Sequence, residues 1–273
     1  MPTHTIRRLT SRQNALVTRA RALARGGRAV LTHALLEGLT LVSEAVTAGW
    51  HLEVIAVTER ALQDPAVESL LSRLPAECDC VLTSPSVMDA MSPVRTPSGT
   101  LAIARLPPDA LDRLFERTPT LIVAAVDVQD AGNVGAIIRV AEAAGATGVA
   151  ACGTSADPFG WKGLRGAMGS AFRLPVVRRV AGDALIAAAR ERALQTVAAT
   201  FGAPSPEHVD LSKPTVLFVG SEGAGLPLPV VRACDVSVSV PMAQPVESLN
   251  VAVATAVILY EARRQRTMTG VRS

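Results

Sequence analysis

LIVAAV (121–126) runs directly into DVQDAGNVGAIIR (127–139), and the reading of these two stretches decides the fold. An unbroken apolar run bounded by turn signals suits a parallel strand covered on both faces. The loop 127–132 leads into a helix expected at 134–144, which Gly145 can close with a left-handed cap. A strand at 148–151 then completes a βαβ unit. Toward the C-terminus the pattern predicts strands at 196–199, 216–219 and 236–240, a helix at 184–193, and a last helix from about 248 to 265. Toward the N-terminus it predicts a helix over 11–24, capped by Ser11, with Leu16 and Leu23 inward and Gly26-Gly27 as its stop. An amphipathic stretch (30–36), a helix (41–48) ended by Gly49, a strand (54–58), a helix (67–74) and strands near 81–83 and 101–104 follow. The fold class is therefore α/β, with a small α/β domain at 1–105, a linker at 106–118 carrying Pro107-Pro108 and a short helix, and a parallel-sheet domain at 119–273.

The 273 residues are 49% hydrophobic and 19% charged, enough for a sizeable core and incompatible with global disorder. Of 27 lysines and arginines, only Lys162 and Lys213 are lysines. Arginine suits phosphate recognition, and the same bias can follow from genome composition. Residues 1–36 hold Arg7, Arg8, Arg12, Arg19, Arg21, Arg25 and Arg28 without one acid. A second acid-free stretch, 158–182, holds Lys162, Arg165, Arg173, Arg178 and Arg179. Each block is either a phosphate-facing surface or a solvated face. Cys78, Cys80, Cys152 and Cys234 are too sparse for a disulfide scaffold, and the Cys78–Cys80 spacing does not suit zinc, so no metal is expected. The arginine-rich start has no apolar core of a secretory signal. It could serve as an organelle transit peptide, but apolar residues recur through it at helical spacing, which favours a folded, cytoplasmic protein. Apolar runs are too short to span a bilayer, so no membrane partner is expected.

Ligands of open parallel sheets bind outside the carboxyl ends of strands. Three loops stand there: 127–139, GSEGAGL (220–226) and VPMAQPVESLN (240–250). Asn133 suits a helix N-cap or a site role, and Ser248 poses the same choice. Arg139, on an otherwise apolar helix, either snorkels to solvent or presents a guanidinium to a cleft. GSEGAGL lacks the GxxxxGK[ST] of a phosphate loop, and no GxGxxG follows the first strand of this half. It offers main-chain donors and acceptors and one carboxylate, Glu222, suited to an adenine edge and an amino-acid tail.

Together, the three segments resemble, in order and spacing, the signature motifs of the SpoU/TrmH family of RNA ribose 2′-O-methyltransferases in the SPOUT superfamily. The first motif is matched by Asn133, Gly135 and Arg139, the second by Gly220, Glu222, Gly223 and Gly225, the third by Pro241, Met242, Ser248, Leu249 and Asn250. The resemblance spans roughly 119–266 and includes RGAMGSAFRLPV (165–176). Ala131 stands where the first motif commonly has proline. The resemblance implies a C-terminal trefoil knot, a homodimer with its site near the subunit interface, and S-adenosylmethionine bound by Gly220, Glu222, Gly225, Val240, Met242 and Leu249. It implies catalytic roles for Asn133, Arg139, Glu222, Ser248 and Asn250. The N-terminal half, around LLEGLTLVSEAVTAG (35–49), resembles a ribosomal-protein-like RNA-binding domain, and Arg7, Arg8, Arg12, Arg19 and Arg165 are the expected RNA contacts.

The implied reaction moves a sulfonium methyl to a ribose 2′-oxygen, so the enzyme must position the reactants and make the hydroxyl nucleophilic. His4, His33, His51 and His208 lie outside the three loops. The family makes Arg139 the candidate base, helped by a substrate phosphate. A guanidinium normally stays protonated, so either a dry pocket lets Arg139 lose its proton, or it stays cationic and stabilises the developing alkoxide. The second is physically easier. Glu222 is expected to fix Arg139 by a charge-assisted pair, and Asn133 to orient Arg139 or the ribose. Aromatic residues are 3% of the chain, which favours recognition of structured RNA by shape over base stacking. The layout points to 23S ribosomal RNA. A tRNA methyltransferase and a non-catalytic ribosome-assembly factor are the alternatives, the latter predicting decay at motif positions that are all intact. A nucleotide hydrolase would need a Walker loop and a metal-carboxylate cluster, which are missing.

Overall fold

The computed structural model describes residues 6–26 and 31–270. His4, Gly27, Arg28 and the first residue of the 30–36 stretch lie outside them. The chain divides into two compact units, Met1–Pro108 with Phe159–Arg165, and Asp109–Pro158 with Gly166–Ser273. The division falls inside the expected linker. Residues 109–118 are nonetheless not a free tether. Leu114 of the 3-10 turn Leu111–Phe115 is fully buried, so close to β7 (Gly148–Cys152) that a Cβ on Gly148 would lie 2.9 Å from it.

The first unit is built on β1 (Arg7–Leu9), β2 (His33–Glu37), β3 (Leu52–Thr58), β4 (Asp79–Thr83) and β5 (Thr100–Arg105), in the order β1-β4-β3-β5-β2. β1, β4 and β3 are parallel, and β5 runs antiparallel to β3 and β2. Helices Ala15–Arg25 and Pro85–Met91 bury Leu16, Val17, Leu23, Val87 and Met88 with Leu35 and Ile103 of the sheet. Asn14, not Ser11, caps the first helix, its side chain accepting from Leu16 N at 2.9 Å. Sequence patterning missed β1, because a three-residue edge strand with two arginines carries no apolar period. Phe159 packs in this unit against Trp50, ring centroids 5.8 Å apart.

The second unit holds a six-stranded sheet in which every pairing is parallel. Its strands are β6 (Leu121–Val126), β7, β8 (Val176–Val180), β9 (Gln195–Ala199), β10 (Thr215–Val219) and β11 (Val236–Val238), in the order β11-β9-β10-β6-β7-β8. β6 matches the expected run residue for residue and is buried throughout, as a central parallel strand must be. Helix Ala131–Ala144 follows, ended by Gly145 at φ 84°, ψ 23°. β8 was not expected, since VVRRV hides its apolar period behind two arginines. Arg178 is tolerated inside because its guanidinium meets Asp109 at 2.9 Å and Asp157 at 2.7 Å.

The last helix, Val251–Met268, ends in a buried anchor. Arg266 donates to the carbonyls of Leu211 (3.1 Å), Thr120 (3.2 Å) and Lys213, joining the helix to the entries of β6 and β10. Replacing it leaves the Leu211 carbonyl without a donor, at a cost of about 1–3 kcal/mol, and takes a charge-assisted bond from the Thr120 and Lys213 carbonyls, which keep Thr215 N (3.0 Å) and Thr215 Oγ1 (2.8 Å). Arg266→Met is therefore expected to lower the unfolding free energy of this unit by roughly 3 kcal/mol. The urea midpoint of its transition measures that loss.

Candidate active site

The loops after β6, β10 and β11 converge at the carboxyl edge of the six-stranded sheet. Helix Ala131–Ala144 is capped by Asp130, whose Oδ1 accepts from Asn133 N at 2.9 Å. Asn133 thus stands inside the first turn, not at the cap, and its amide is available to other partners. Asn133 Nδ2 donates to Glu222 Oε1 at 3.0 Å, and Asn250 Nδ2 donates to the same oxygen at 2.5 Å. Asn250 Nδ2 also donates to Asn133 Oδ1 at 2.9 Å, closing a three-membered network. Asn250 Oδ1 faces the other way and caps the last helix, accepting from Ala252 N at 3.0 Å and Val253 N at 3.3 Å. That helix therefore starts after Asn250, and Ser248 lies in the preceding loop rather than at the cap.

Loop 220–226 is folded tightly on itself. Gly225 N donates to Ser221 O at 3.0 Å, and a Cβ on Gly220 would lie 2.2 Å from the Gly225 carbonyl carbon, so only glycine fits there. Beside the network opens a cavity of about 510 Å³, within the usual range for a small-molecule site. Gly220, Glu222, Gly225, Val240, Met242 and Leu249 all line it, and so does Ser248. Its walls join apolar side chains to main-chain hydrogen-bonding groups and two carboxylates, Glu222 and Glu247, a set that fits a purine nucleoside bearing a cationic tail. Sequence reasoning passed over two further lining residues, Phe201 and Leu228. The strand-end rule could have found Phe201, two residues beyond β9.

Arg139 does not meet Glu222. It is exposed, and among the described residues it makes no ion pair or hydrogen bond. Six residues of helix separate it from Asn133, about 9 Å along the axis and roughly 120° around it. The expected charge-assisted pair is replaced by the two amides on Glu222. No cysteine offers a thiolate here: burial, with the Asp127 carboxylate adding to it, pushes Cys152 up to about 12. Burial likewise moves Cys234 up to about 11. Among the described residues no group of histidines, cysteines and acids is arranged to hold a metal ion, and no helix is long and apolar enough to cross a membrane.

Of the arginines expected to meet RNA, three are engaged by acids. Arg7 Nε lies 2.9 Å from Asp79 Oδ1, Arg8 3.1 Å from Glu59, and Arg19 2.6 Å from Glu53. Arg12 and Arg165 are exposed and have no such partner among the described residues. In the second basic block Arg173 pairs with Glu142 at 2.7 Å and Arg178 is buried, so that block is not one continuous phosphate face.

A sequence profile of the SpoU rRNA Methylase family matches residues 120–260, and one of the MRM3-like substrate binding domain matches 14–102. The 23S rRNA (uridine(2479)-2′-O)-methyltransferase of Streptomyces viridochromogenes is 34% identical over 95% of this chain and 93% of its own length. The 23S rRNA (guanosine(2553)-2′-O)-methyltransferase RlmP of Bacillus subtilis is 33% identical over 84% of this chain and 88% of its own. The crystal structure of the SpoU methyltransferase AviRb from S. viridochromogenes with AdoMet superposes with a TM-score of 0.86, at 30% identity, covering 93% of this chain and 99% of that one.

The two duties of Asn250 can be separated by substitution. Asn250→Ser keeps a capping oxygen and is expected to be more stable than Asn250→Ala by about 1 kcal/mol, the contribution of the cap alone. Both remove the amide from Glu222, so urea unfolding should tell the variants apart while the network is lost in each.

Proposed function

Because the chain belongs to the SpoU rRNA methylase family, we infer that it is an S-adenosylmethionine-dependent enzyme that methylates a ribose 2′-hydroxyl of ribosomal RNA. The observation that carries this reading is the meeting of Asn133, Glu222 and Asn250 beside a cavity that the six expected cofactor residues line. The RNA we assign is 23S, on which the two relatives named above act by their names, one at a uridine and the other at a guanosine. The base is therefore not set by family membership. The N-terminal unit is the substrate-binding part, with Arg12 and Arg165 among its exposed cations, and the protein works in the cytoplasm. The C-terminal trefoil knot implied by the resemblance is part of the same reading.

When bound, S-adenosylmethionine supplies a sulfonium methyl carbon that is already a good electrophile. The remaining tasks fall to the chain. Apolar walls at Val240, Met242 and Leu249 exclude water from the donor, and the Gly220 and Gly225 main chain supplies hydrogen bonds to it. Asn133 and Asn250 hold the Glu222 carboxylate in one orientation. Glu222 Oε2 has no hydrogen bond among the described residues and is left to accept from the substrate. Ser248 contributes a hydroxyl at the same edge. Arg139 acts as an exposed cation that stabilises the oxygen as it becomes negative.

A homodimer completes the site. Val253, Val257 and Tyr260 are 50%, 42% and 53% exposed and, spaced i, i+4 and i+7, form one apolar stripe on the last helix. Such a stripe beside a site suits burial against a second copy. Exposed Arg139, turned away from its own Asn133, fits a site finished by that copy.

Methyl transfer to ribosomal RNA, with mapping of the modified nucleotide, tests the reading directly; a methylated base in place of a ribose 2′-oxygen would overturn it. Arg139→Ala is expected to lower kcat by at least about 10²-fold while S-adenosylmethionine binding persists, and Arg139→Lys to be poor because lysine lacks the fork. Near-normal turnover in Arg139→Ala would remove the residue from the mechanism. Val257→Asp is expected to yield a monomer by light scattering and to lose activity with the dimer.

A further inference from the structure

Met168 is held in the left-handed backbone region, at φ 47°, with its side chain 52% exposed. That conformation crowds a Cβ and is uncommon outside glycine. Three other described residues that are not glycine share it. Asp127 there accepts from Thr154 N at 2.8 Å, Arg179 occupies a bulge of β8, and Ala193 follows a helix end. Of the four, only Met168 presents a large apolar side chain to water. Backbone strain of this kind persists where the surrounding structure enforces it, and it gathers at functional sites.

The turn is enforced from both sides. On one side, a Cβ on Gly166 would lie 3.1 Å from Gly132 O and 3.2 Å from Gly135 Cα, so the chain there meets the start of helix Ala131–Ala144 backbone to backbone. On the other, the short helix Ser170–Arg173 packs against that same helix. Ser170 is buried, and Arg173 Nε and Nη2 lie 2.7 Å and 2.9 Å from the two Glu142 oxygens. Met168 and Gly169, at φ 90°, form the bend between these attachments. Gly135, Arg139 and Glu142 follow at i, i+4 and i+7, a single stripe of the helix. The strapped segment begins over Gly135 and ends at Glu142, so its exposed bend passes beside Arg139, which is itself exposed.

In the methyltransferase reading above, the Arg139 guanidinium meets the ribose 2′-oxygen as that oxygen becomes negative. In a nucleotide the base is carried on the ring carbon next to the one bearing this oxygen. A side chain beside Arg139 is therefore within reach of the base, whichever copy of the chain supplies the rest of the site. Resting on that reading, we propose that Met168 is a substrate-contact residue: its thioether lies against the base of the acceptor nucleotide. Methionine suits the place, being unbranched, polarizable and favourably disposed toward aromatic rings. The strained bend keeps it facing outward while its neighbours Ala167 and Ala171 are buried. Such a contact selects a base that has left its stack without reading the hydrogen-bonding edge.

Fluorescence anisotropy on the full-length protein, with a fragment of ribosomal RNA carrying the mapped acceptor nucleotide, measures the contact. Met168→Ala is expected to weaken RNA binding about fivefold, the loss of one thioether–ring contact. Met168→Leu keeps the apolar bulk and should bind near the parent. On the same fragment with that one base removed, parent and Met168→Ala should bind alike. Met168→Gly should lose RNA affinity as the alanine variant does while its thermal midpoint rises, since glycine adopts this backbone freely. A purely structural residue would move the midpoint alone. Calorimetric affinity for S-adenosylmethionine should be unchanged in every variant. Parent-like RNA binding by both Met168→Ala and Met168→Gly would overturn the proposal. So would an equal loss on the fragment without the base, which would place the side chain elsewhere on the RNA. Parent protein that transfers no methyl group to ribosomal RNA would instead sink the methyltransferase reading itself, whereas an active parent matched in RNA affinity by both variants sinks only the role of Met168.

Discussion

One carboxylate oxygen organises the site: Glu222 Oε1 receives amide donors from Asn133 and Asn250, 89 and 28 residues away in the chain. Hydrogen bonds to an ionised acceptor are stronger than those between neutral groups. They form here because the parallel sheet seats β10 beside β6, so that two loops far apart in sequence leave adjacent strand ends. The third loop reaches the same point from β11 at the sheet's edge, and the last helix begins where it arrives. Breaking the sheet order would disperse all three groups at once. The buried Arg266 guanidinium, which ties the far end of that helix to Thr120 and Lys213 at the starts of β6 and β10, holds the same strands together from the opposite edge.

The capping residues show how the network becomes possible. A helix start leaves unpaired N–H groups that a nearby polar side chain ordinarily satisfies. If Asn133 met that need, its side chain would be turned onto its own backbone and lost to Glu222. Asp130 accepts from Asn133 N instead. Asn250 solves the same conflict by dividing its amide, with Oδ1 on the helix and Nδ2 on Glu222 and Asn133. A single side chain thereby serves both local structure and the site.

Much of this was legible in the residues. The run 121–126, the helix after it and the Gly145 cap follow from local chemistry, and the three strand-end loops stand out because a structural loop has little use for their polar groups. What stayed hidden depends on contacts across the sheet. Asp130 and Asn133 are both good caps before an apolar run, and spacing cannot choose between them. The partner of Glu222 depends on which face of a helix a side chain occupies, and six residues put Arg139 on a different face from Asn133. The basic blocks misled for a related reason. A window free of acids says nothing about acids brought in from elsewhere: Asp79 reaches Arg7, Glu53 reaches Arg19, and Asp109 with Asp157 encloses Arg178.

That pairing gives meaning to the arginines left without an acid among the described residues, Arg139 among them. A guanidinium held by a carboxylate has its field largely cancelled, and Arg173 and Arg178 are spent on structure in this way. Arg139 meets no carboxylate among the described residues, but in water a charge acts weakly: at 4 Å two unit charges interact by about 1 kcal/mol, against about 4 kcal/mol at a protein surface with effective dielectric near 20. An exposed cation therefore stabilises an oxyanion well only after something else covers it. The apolar stripe of Val253, Val257 and Tyr260 lies on a helix that packs against the helix bearing Arg139. Association through that stripe, together with docking of RNA, would lower the local dielectric where the alkoxide forms. On the reading proposed above, the electrostatics of the step would belong to the dimer with its RNA, and Arg139 is an exposed cation that such an assembly would cover.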